Sequence, residues 1–282
     1  MKRQTAFKVG DVEVGGPALF LIAGPCVIES EDHALHMARE ISRIARDLKL
    51  PFIYKASYDK ANRTSIQSYR GPGVEEGARI LRRIGDEVDV PVLTDVHEPA
   101  DVPRIAGAVD VMQIPAFLCR QTDLIVAAAR TGCAINIKKG QFVSPWDMRH
   151  AVEKCNAAGN KRVFLTERGS SFGYNNLVVD MRSLPIMREF APVVFDATHS
   201  VQLPSAAAAD NNGGPAVSGG QPEFIPVLAR AAVAAGVDGV FMEVHDNPAV
   251  AKSDGANALE LTKLRGVLEE LLAVRSGVKV RA

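Results

Sequence analysis

The stretch from Phe20 to Ser57 reads FLIAGPCVIESEDHALHMAREISRIARDLKLPFIYKAS. It places one apolar run, Phe20–Cys26, before a segment of helical periodicity, Asp32–Leu48, and a second apolar run, Phe52–Ser57. Ser30, two residues before Asp32, is a favourable N-cap residue for this helix. This order of strand, helix and strand is typical of parallel sheets, in which neighbouring strands need a crossover connection.

The same alternation continues along the chain. The eight apolar runs are Phe20–Cys26, Phe52–Ser57, Val90–His97, Val111–Phe117, Ile135–Phe142, Val163–Gly169, Val193–Ser200 and Val240–Asp246. Further helices are predicted over Val74–Val88, Phe224–Ala235 and Ala258–Val274. The runs are continuously apolar, as in parallel strands that are covered on both faces. We therefore predict a (β/α)8 TIM barrel of the α/β class. A doubly wound open sheet is the alternative, and periodicity alone does not separate the two.

Two segments lie outside this alternation. Ala6–Val9 and Val12–Val14 flank the turn residues Gly10 and Asp11, which predicts a hairpin that plugs the N-terminal end of the barrel. Pro204 to Pro222 combines an alanine run with glycine pairs and is too long for an ordinary connection. We expect one barrel domain over residues 1–282, with residues 1–16 as a hairpin cap and 204–222 as a mobile active-site loop.

Composition excludes several classes of protein. The 33 basic and 33 acidic side chains balance, whereas a general binder of nucleic acid or membrane surfaces needs a basic excess. No stretch approaches the roughly 20 apolar residues that span a bilayer. The cysteines form no CxxC motif, which indicates reduced thiols and a cytoplasmic setting. They are Cys26, Cys119, Cys133 and Cys155.

Five cationic side chains follow three of the predicted strands. They are Lys55, Lys60, Arg63, Lys138 and Arg168. Active sites of barrels lie at the carboxyl ends of the strands, so these cations are expected to converge there. Each could instead be a solvated surface charge, but buried charges need partners, and arginine is well suited to phosphate. The pattern indicates a small substrate with more than one anionic group.

A second set combines potential metal ligands. Cys26 ends the first run, His199 and Glu243 end the last two, and Asp254 follows in the next loop. In a closed barrel these strands are neighbours, and the donor types suit Fe2+, Zn2+ or Mn2+ better than Mg2+. Taken singly, Cys26 could be a small buried apolar residue. Spacing alone leaves both interpretations open.

Several motifs, in order along essentially the whole chain, resemble those of the 3-deoxy-D-manno-octulosonate-8-phosphate synthases, also called 2-dehydro-3-deoxyphosphooctonate aldolases. These are Ala23-Gly24-Pro25-Cys26, Ile28-Glu29-Ser30, Lys55 to Ser65, Thr94-Asp95-Val96-His97, Gln113 to Phe117, Asn136 to Gln141, Glu167-Arg168-Gly169, Phe195 to Ser200 and Ser253-Asp254-Gly255. The resemblance implies a (β/α)8 fold and the condensation of phosphoenolpyruvate with D-arabinose 5-phosphate and water, with release of phosphate. The product would enter the inner core of lipopolysaccharide.

The related 3-deoxy-D-arabino-heptulosonate-7-phosphate synthases use erythrose 4-phosphate. They carry a Lys-Pro-Arg-Thr type of segment, whereas this chain has Lys60-Ala61-Asn62-Arg63. The Ala-Asn pair favours the octulosonate enzymes. Cys26 stands where metal-independent members have asparagine, so the resemblance implies the metal-dependent branch, with Cys26, His199, Glu243 and Asp254 as ligands of the divalent ion.

The resemblance also implies substrate contacts. Lys138 and Arg168, with the backbone at Ala116 and Phe117, would hold the phosphate of phosphoenolpyruvate, and Lys55, Ser57 and Lys60 its carboxylate. Asn62, Arg63 and Thr64 would hold the phosphate of arabinose 5-phosphate across a subunit boundary, which implies a homo-oligomer, a tetramer by resemblance. Thr64 stands where the family often has serine, but the hydroxyl is kept. Gln113 and Gln202 complete the substrate-binding set, and Lys138, His199, Asp95 and His97 are the catalytic candidates for positioning water or moving protons.

Two rival functions fit the same pattern of cations. A Schiff-base aldolase would use Lys138 as its nucleophile and would be trapped by borohydride in the presence of substrate. A non-catalytic barrel that binds sugar phosphates would keep the cations but would have no use for the Cys/His/Glu/Asp set, and would release no phosphate.

Overall fold

The computed structural model describes residues 6–63, 65–207 and 217–278. Its central sheet consists of parallel strands, each paired with the next in sequence. They are β1 (Phe20–Gly24), β2 (Phe52–Lys55), β3 (Val92–Asp95), β4 (Val111–Ile114), β5 (Ala134–Lys138), β6 (Val163–Glu167), β7 (Val193–Asp196) and β8 (Gly239–His245). Strand β8 pairs with both β7 and β1, so the sheet closes on itself. The barrel prediction is confirmed, and the open doubly wound sheet is excluded.

Helices surround the barrel. They are α1 (Glu31–Asp47), α2 (Val74–Val88), α3 (Val102–Ile105), α4 (Thr122–Arg130), α5 (Met148–Ala157), α6 (Ser183–Arg188), α7 (Ile225–Ala234) and α8 (Leu261–Gly277). Short 3-10 turns cover Ala116–Leu118, His199–Val201, Pro222–Phe224, Pro248–Val250 and Gly255–Asn257. The predicted cap is confirmed, since the Ser30 hydroxyl accepts a hydrogen bond from His33 N at 3.2 Å. None of the described helices is long and apolar enough to cross a bilayer.

Helix α8 begins three residues later than the predicted start at Ala258, because Leu259–Glu260 pairs with the end of β8. All eight barrel strands also end earlier than predicted. The predicted ends at Cys26, Ser57, His97, Phe117, Phe142, Gly169, Ser200 and Asp246 become Gly24, Lys55, Asp95, Ile114, Lys138, Glu167, Asp196 and His245. For several strands the cause is that burial continues after the ladder has ended, as at Cys26 and Ser57. At Phe117 and Phe142 the apolar run instead continues into exposed loop residues.

The predicted N-terminal hairpin is present. Phe7–Val9 pairs antiparallel with Val12–Val14, and Gly10 in the turn has φ of +53°, a conformation that favours glycine. Val9, Val12 and Val14 are buried against inward-facing side chains near the start of the strands, such as Phe20 and Phe164. The hairpin thus covers the N-terminal end of the barrel, opposite the end that carries the polar residues.

The segment predicted as a mobile loop begins and ends in paired strands. Gln202–Ala207 pairs antiparallel with Val217–Gly220, with an irregular register between Leu203 and Ala207. Residues 208–216, the central part of the predicted loop, lie outside the described residues. The base of this segment is therefore anchored beside the end of β7.

The hairpin plug should contribute to stability. Val14 is fully buried beneath the barrel, so Val14→Ala should lower the free energy of unfolding by about 1–3 kcal/mol. The matched control is Glu13→Ala in the same strand, because Glu13 is exposed and its loss should change stability by no more than about 0.5 kcal/mol. Denaturant unfolding followed by circular dichroism measures both. Equal stability of the wild type and Val14→Ala would show that the plug does not support the barrel.

Candidate active site

A cavity of about 650 Å³ opens at the carboxyl ends of the strands. Most of the predicted site residues line it: Lys55, Lys60, Asn62, Arg63, Asp95, His97, Gln113, Ala116, Phe117, Lys138, Arg168, His199, Gln202 and Asp254. Cys26, Ser57 and Glu243 are buried and do not form part of its lining. Thr64 lies outside the described residues. The five predicted cations thus converge on one cavity, as expected.

Glu243 on β8 is fully buried beside this cavity. Its Oε1 lies 3.3 Å from Lys55 Nζ, 3.6 Å from Lys60 Nζ and 3.7 Å from His199 Nε2. Burial alone would raise the pKa of Glu243, but His199, Lys60 and Lys55 hold it well below its usual range. The carboxylate therefore stays ionised and connects the lysines of the β2 end to the imidazole that follows β7.

Asp196, the last residue of β7, sets the orientation of two neighbours. Its Oδ2 lies 2.8 Å from His199 Nδ1 and 2.7 Å from Lys138 Nζ. A carboxylate on Nδ1 fixes the imidazole so that Nε2 faces Glu243 and Asp254. Burial lowers the pKa of Lys138, and Asp196 partly offsets that effect. Asp196 was not among the predicted site residues; its place three residues before His199, at the end of a buried strand, was the available signal.

The predicted metal ligands lie together. Donor atoms of Cys26, Glu243 and Asp254 lie within 4.8 Å of one another, and His199 Nε2 is 3.7 Å from an oxygen of each carboxylate. Glu243 Oε2 is buried and has no hydrogen-bond partner among the described residues. Thiol, imidazole and carboxylate donors fit a borderline divalent ion such as Zn2+ or Fe2+. The arrangement is one that a metal ion could complete.

The thiol of Cys26 has a special environment. Burial raises its pKa, and Asp254 and Glu243 raise it further. Its Sγ is 3.3 Å from Asp254 Oδ2 and 2.8 Å from Ser253 Oγ, a contact that sequence reasoning missed. The protonated thiol is therefore favoured unless a cation offsets these charges, and metal binding would release a proton.

Arg168 presents an unsatisfied donor. Its side chain is almost wholly buried, and Nη2 donates to Gln202 Oε1 at 2.9 Å. Nη1 is buried without a hydrogen-bond partner among the described residues. Burial lowers the pKa of Arg168, because its charge is removed from water. A buried guanidinium with a free donor in a cavity wall calls for an anionic ligand.

Asp95, Ser57 and His97 form a third polar group. The Ser57 hydroxyl donates to Asp95 Oδ1, so Ser57 is engaged with a neighbouring side chain, and His97 Nε2 lies 3.5 Å from Asp95 Oδ2. Burial would raise the pKa of Asp95, yet Lys60, His97 and Lys55 lower it strongly. An ionised Asp95 beside an imidazole can hold a water molecule or a proton at the cavity wall.

Arg63 and Phe117 lie at the outer part of the cavity. Arg63 Nε donates to Tyr69 O at 3.0 Å, and its Nη2 donates to Lys252 O at 3.1 Å. Phe117 is 56% exposed, which is unusual for so large an apolar side chain. The rim of the cavity thus presents both a cation and apolar surface to the outside.

Known proteins are similar to this chain over almost its whole length. The model of the DAHP synthetase I family matches residues 4–279. The 2-dehydro-3-deoxyphosphooctonate aldolase of Koribacter versatilis (strain Ellin345) is 70% identical over 272 residues, which cover 96% of each chain. The protein of the same name from Geobacter metallireducens is 56% identical over 281 residues, 99% of this chain and 100% of the relative.

The resemblance drawn from the motifs is therefore confirmed. The match to the family model omits only a few residues at either end, and the relatives are covered almost completely. The chain belongs to the DAHP synthetase I family.

Proposed function

We propose that the protein is an enzyme that condenses phosphoenolpyruvate with D-arabinose 5-phosphate and water, forming 3-deoxy-D-manno-octulosonate 8-phosphate and phosphate. The observation that carries the proposal is one cavity in which cations from three strand ends face a Cys/His/Glu/Asp set. Such a cavity suits two anionic substrates and a divalent ion. The relatives are named for 2-dehydro-3-deoxyphosphooctonate, the product of this reaction. The product would serve lipopolysaccharide inner-core synthesis.

Phosphoenolpyruvate would be held through both of its anionic groups. The free Nη1 of Arg168 and the ammonium of Lys138 suit the phosphate, with the backbone at Ala116 and Phe117 beside them. Lys55 and Lys60 suit the carboxylate, although both also contact Glu243. Fixed cations around both anions hold the enol carbon in attack geometry and stabilise the charge that develops.

In the proposed reaction, C3 of phosphoenolpyruvate bonds to the aldehyde carbon, water adds at C2, and phosphate leaves by C–O cleavage. Burial makes Lys138 a readier proton donor than a free lysine, because it lowers the pKa of the ammonium group. Asp95 would hold the water through its ionised carboxylate, and His97 would take up the proton. Asp196 would keep the His199 imidazole oriented.

A divalent ion, Fe2+, Zn2+ or Mn2+, would be held by Cys26, His199, Glu243 and Asp254. When bound, such an ion orients or polarises an oxygen ligand, or lowers the pKa of a bound water. Because metal-independent members carry asparagine at the position of Cys26, we favour the orienting role. The donor atoms and the unpartnered Glu243 Oε2 support the placement.

The phosphate of arabinose 5-phosphate would bind to Asn62, Arg63 and Thr64 across a subunit boundary in a homotetramer. Exposed aromatic side chains in the loops after β4, β5 and β6 support an oligomer, because a monomer would leave them in water. They are Phe117, Phe142, Trp146 and Phe172, with exposures of 56%, 59%, 58% and 71%.

The segment 204–222 would act as a mobile loop over the cavity of a single barrel domain. Pro204 and Ser218, at either end of its described parts, line the cavity. The four unpaired cysteines fit the cytoplasmic location expected from the sequence.

The closest rival is the heptulosonate enzyme, since the family is described by that reaction. The segment Lys60-Ala61-Asn62-Arg63 and the names of the relatives favour the octulosonate reaction. A Schiff-base aldolase needs a neutral amine, whereas Lys138 forms an ion pair with Asp196 at 2.7 Å.

The choice of aldose tests the proposal. With phosphoenolpyruvate present, D-arabinose 5-phosphate should release phosphate with a kcat/KM at least about 100-fold above that of erythrose 4-phosphate, a factor within reach of a site that hydrogen-bonds the extra hydroxyl. Colorimetric phosphate release measures both, and borohydride should trap no adduct. A preference for erythrose 4-phosphate would assign the chain to the rival, and no phosphate release with either sugar would contradict the proposal.

We also expect the activity to depend on a bound divalent metal ion. Chelation should abolish most activity of the wild type, and Mn2+, Fe2+ or Zn2+ should restore it. Cys26→Asn should bind metal more weakly by on the order of tenfold or more, yet keep measurable turnover in chelator, because an amide can replace the orienting contact.

Cys133→Ser is the matched control, since the Cys133 thiol donates to the backbone carbonyls of Ala106 and Val109, neither of which belongs to the ligand set. It should behave as the wild type in both assays. Full activity of a wild type that elemental analysis shows to be metal-free would refute the metal assignment. A folded but wholly inactive Cys26→Asn would refute the orienting role.

A further inference from the structure

A second group of metal-type donors lies outside the site described above. Glu29 follows β1, His33 lies in the first turn of α1, and His245 is the last residue of β8. One donor atom from each lies within 4.8 Å of the others. We propose that this group is a second binding site for a borderline divalent metal ion of the Zn2+ type, with Asp246 as a supporting carboxylate.

The distances are near those that coordination requires. Glu29 Oε1 lies 3.2 Å from His245 Nε2, and the rings of His33 and His245 have centroids 4.7 Å apart at 36°. Two ligands that are each about 2.0–2.1 Å from a tetrahedral Zn2+ ion lie about 3.4 Å from one another. The Glu29–His245 pair already has this spacing, and a ring nitrogen of His33 lies within 4.8 Å of the donor atoms of both.

The hydrogen bonds around His245 can rearrange to free a ligand atom. Asn247 N donates to Nδ1 at 2.9 Å, so Nε2 carries the proton and donates to Glu29. With an ion at Nε2, the proton would move to Nδ1, which lies 3.0 Å from Asp246 Oδ1. Asn247 N can then donate to the same Asp246 oxygen, also at 3.0 Å. This gives the carboxylate–histidine–metal arrangement common in metal sites.

His33 also has an unused coordination capacity. Its Nε2 lies 3.1 Å from Asp246 Oδ1, whereas its Nδ1 is buried without a hydrogen-bond partner among the described residues. A neutral imidazole always keeps one nitrogen with a free electron pair. Metal binding would satisfy a ring that the protein alone leaves partly unsatisfied.

The net charge of this group and its access to solvent also suit a divalent ion. Glu29 and Asp246 bring two carboxylates to two imidazoles, so a dication would be balanced. The side chains of His33 and Asp246 are 17% and 41% exposed, which leaves an entry route from solvent. The proposed site is therefore reachable without opening the barrel.

An ion at this place would connect three parts of the chain. Glu29 Oε1 also accepts a hydrogen bond from Lys252 N at 2.8 Å, in the loop that carries Ser253 and Asp254. Binding would fasten the β1 loop, the start of α1 and the loop after β8 to one another. The site is thus structural, and it stands independently of the reaction proposed above.

Cobalt titration separates the two sites, because only a thiolate ligand gives Co2+ an intense near-ultraviolet charge-transfer band. Equilibrium dialysis of the chelator-treated wild type should give two equivalents of Co2+, one of which produces the band through Cys26. His33→Ala should lose one equivalent and keep the band, and Cys26→Ser should lose the band and keep the equivalent that His33 binds.

Glu29→Gln is a second variant, since the amide oxygen can still accept from Lys252 N and His245 but is a poor ligand. Glu29→Gln should lower the Co2+ affinity of the second site, which produces no band, by at least tenfold. His36→Ala, an exposed histidine three residues along the same helix, is the control and should bind as the wild type. A wild type that binds a single equivalent with the band, or a His33→Ala variant that keeps both equivalents, would overturn the second site and leave the active-site assignment intact.

Discussion

The ionised carboxylate of Glu243 is the constraint on which the rest of the site depends. It is fully buried, and a buried carboxylate is tolerated only where cations and hydrogen bonds offset its lost hydration. Lys55, Lys60 and His199 supply that compensation at 3.3, 3.6 and 3.7 Å. These residues follow β2 and β7, on either side of β1 and β8. Only a closed barrel brings the four strand ends together, so closure of the sheet and assembly of the site are one event.

The sequence predicted the positions of the barrel strands but not their ends, because residues can stay buried after a strand has stopped pairing. The apolar runs located every barrel strand, because a strand that is covered on both faces leaves a continuous signal. Helical periodicity located four of the eight described α-helices. The same signal extended past the end of nearly every strand, since residues such as Cys26 stay buried after pairing stops. The predicted cations and metal-type ligands do converge, because strand ends of a barrel share one face.

Two residues of the site that the sequence did not predict, Asp196 and Ser253, contact side chains that it did predict. Asp196 orients His199 and contacts Lys138, and Ser253 contacts the Cys26 thiol. Asp196 lies three residues before His199 and Ser253 lies next to Asp254, but these positions alone do not say which side chains they contact. Their roles follow from partners far apart in sequence, and only the fold supplies those partners. The Glu29, His33 and His245 group was missed for the same reason, as its members are brought together from opposite ends of the chain.

Glu243 serves both the cationic and the metal-ligand halves of the site, and one paired measurement tests this. In Glu243→Gln, equilibrium dialysis should show metal affinity at the Cys26 site reduced at least tenfold. Calorimetry on the metal-free proteins should show phosphoenolpyruvate bound more tightly by the variant, because a negative charge beside Lys55 and Lys60 is gone. The exposed Glu269→Gln should change neither value. Unchanged metal affinity, or weaker binding of phosphoenolpyruvate by a folded Glu243→Gln protein, would contradict the account.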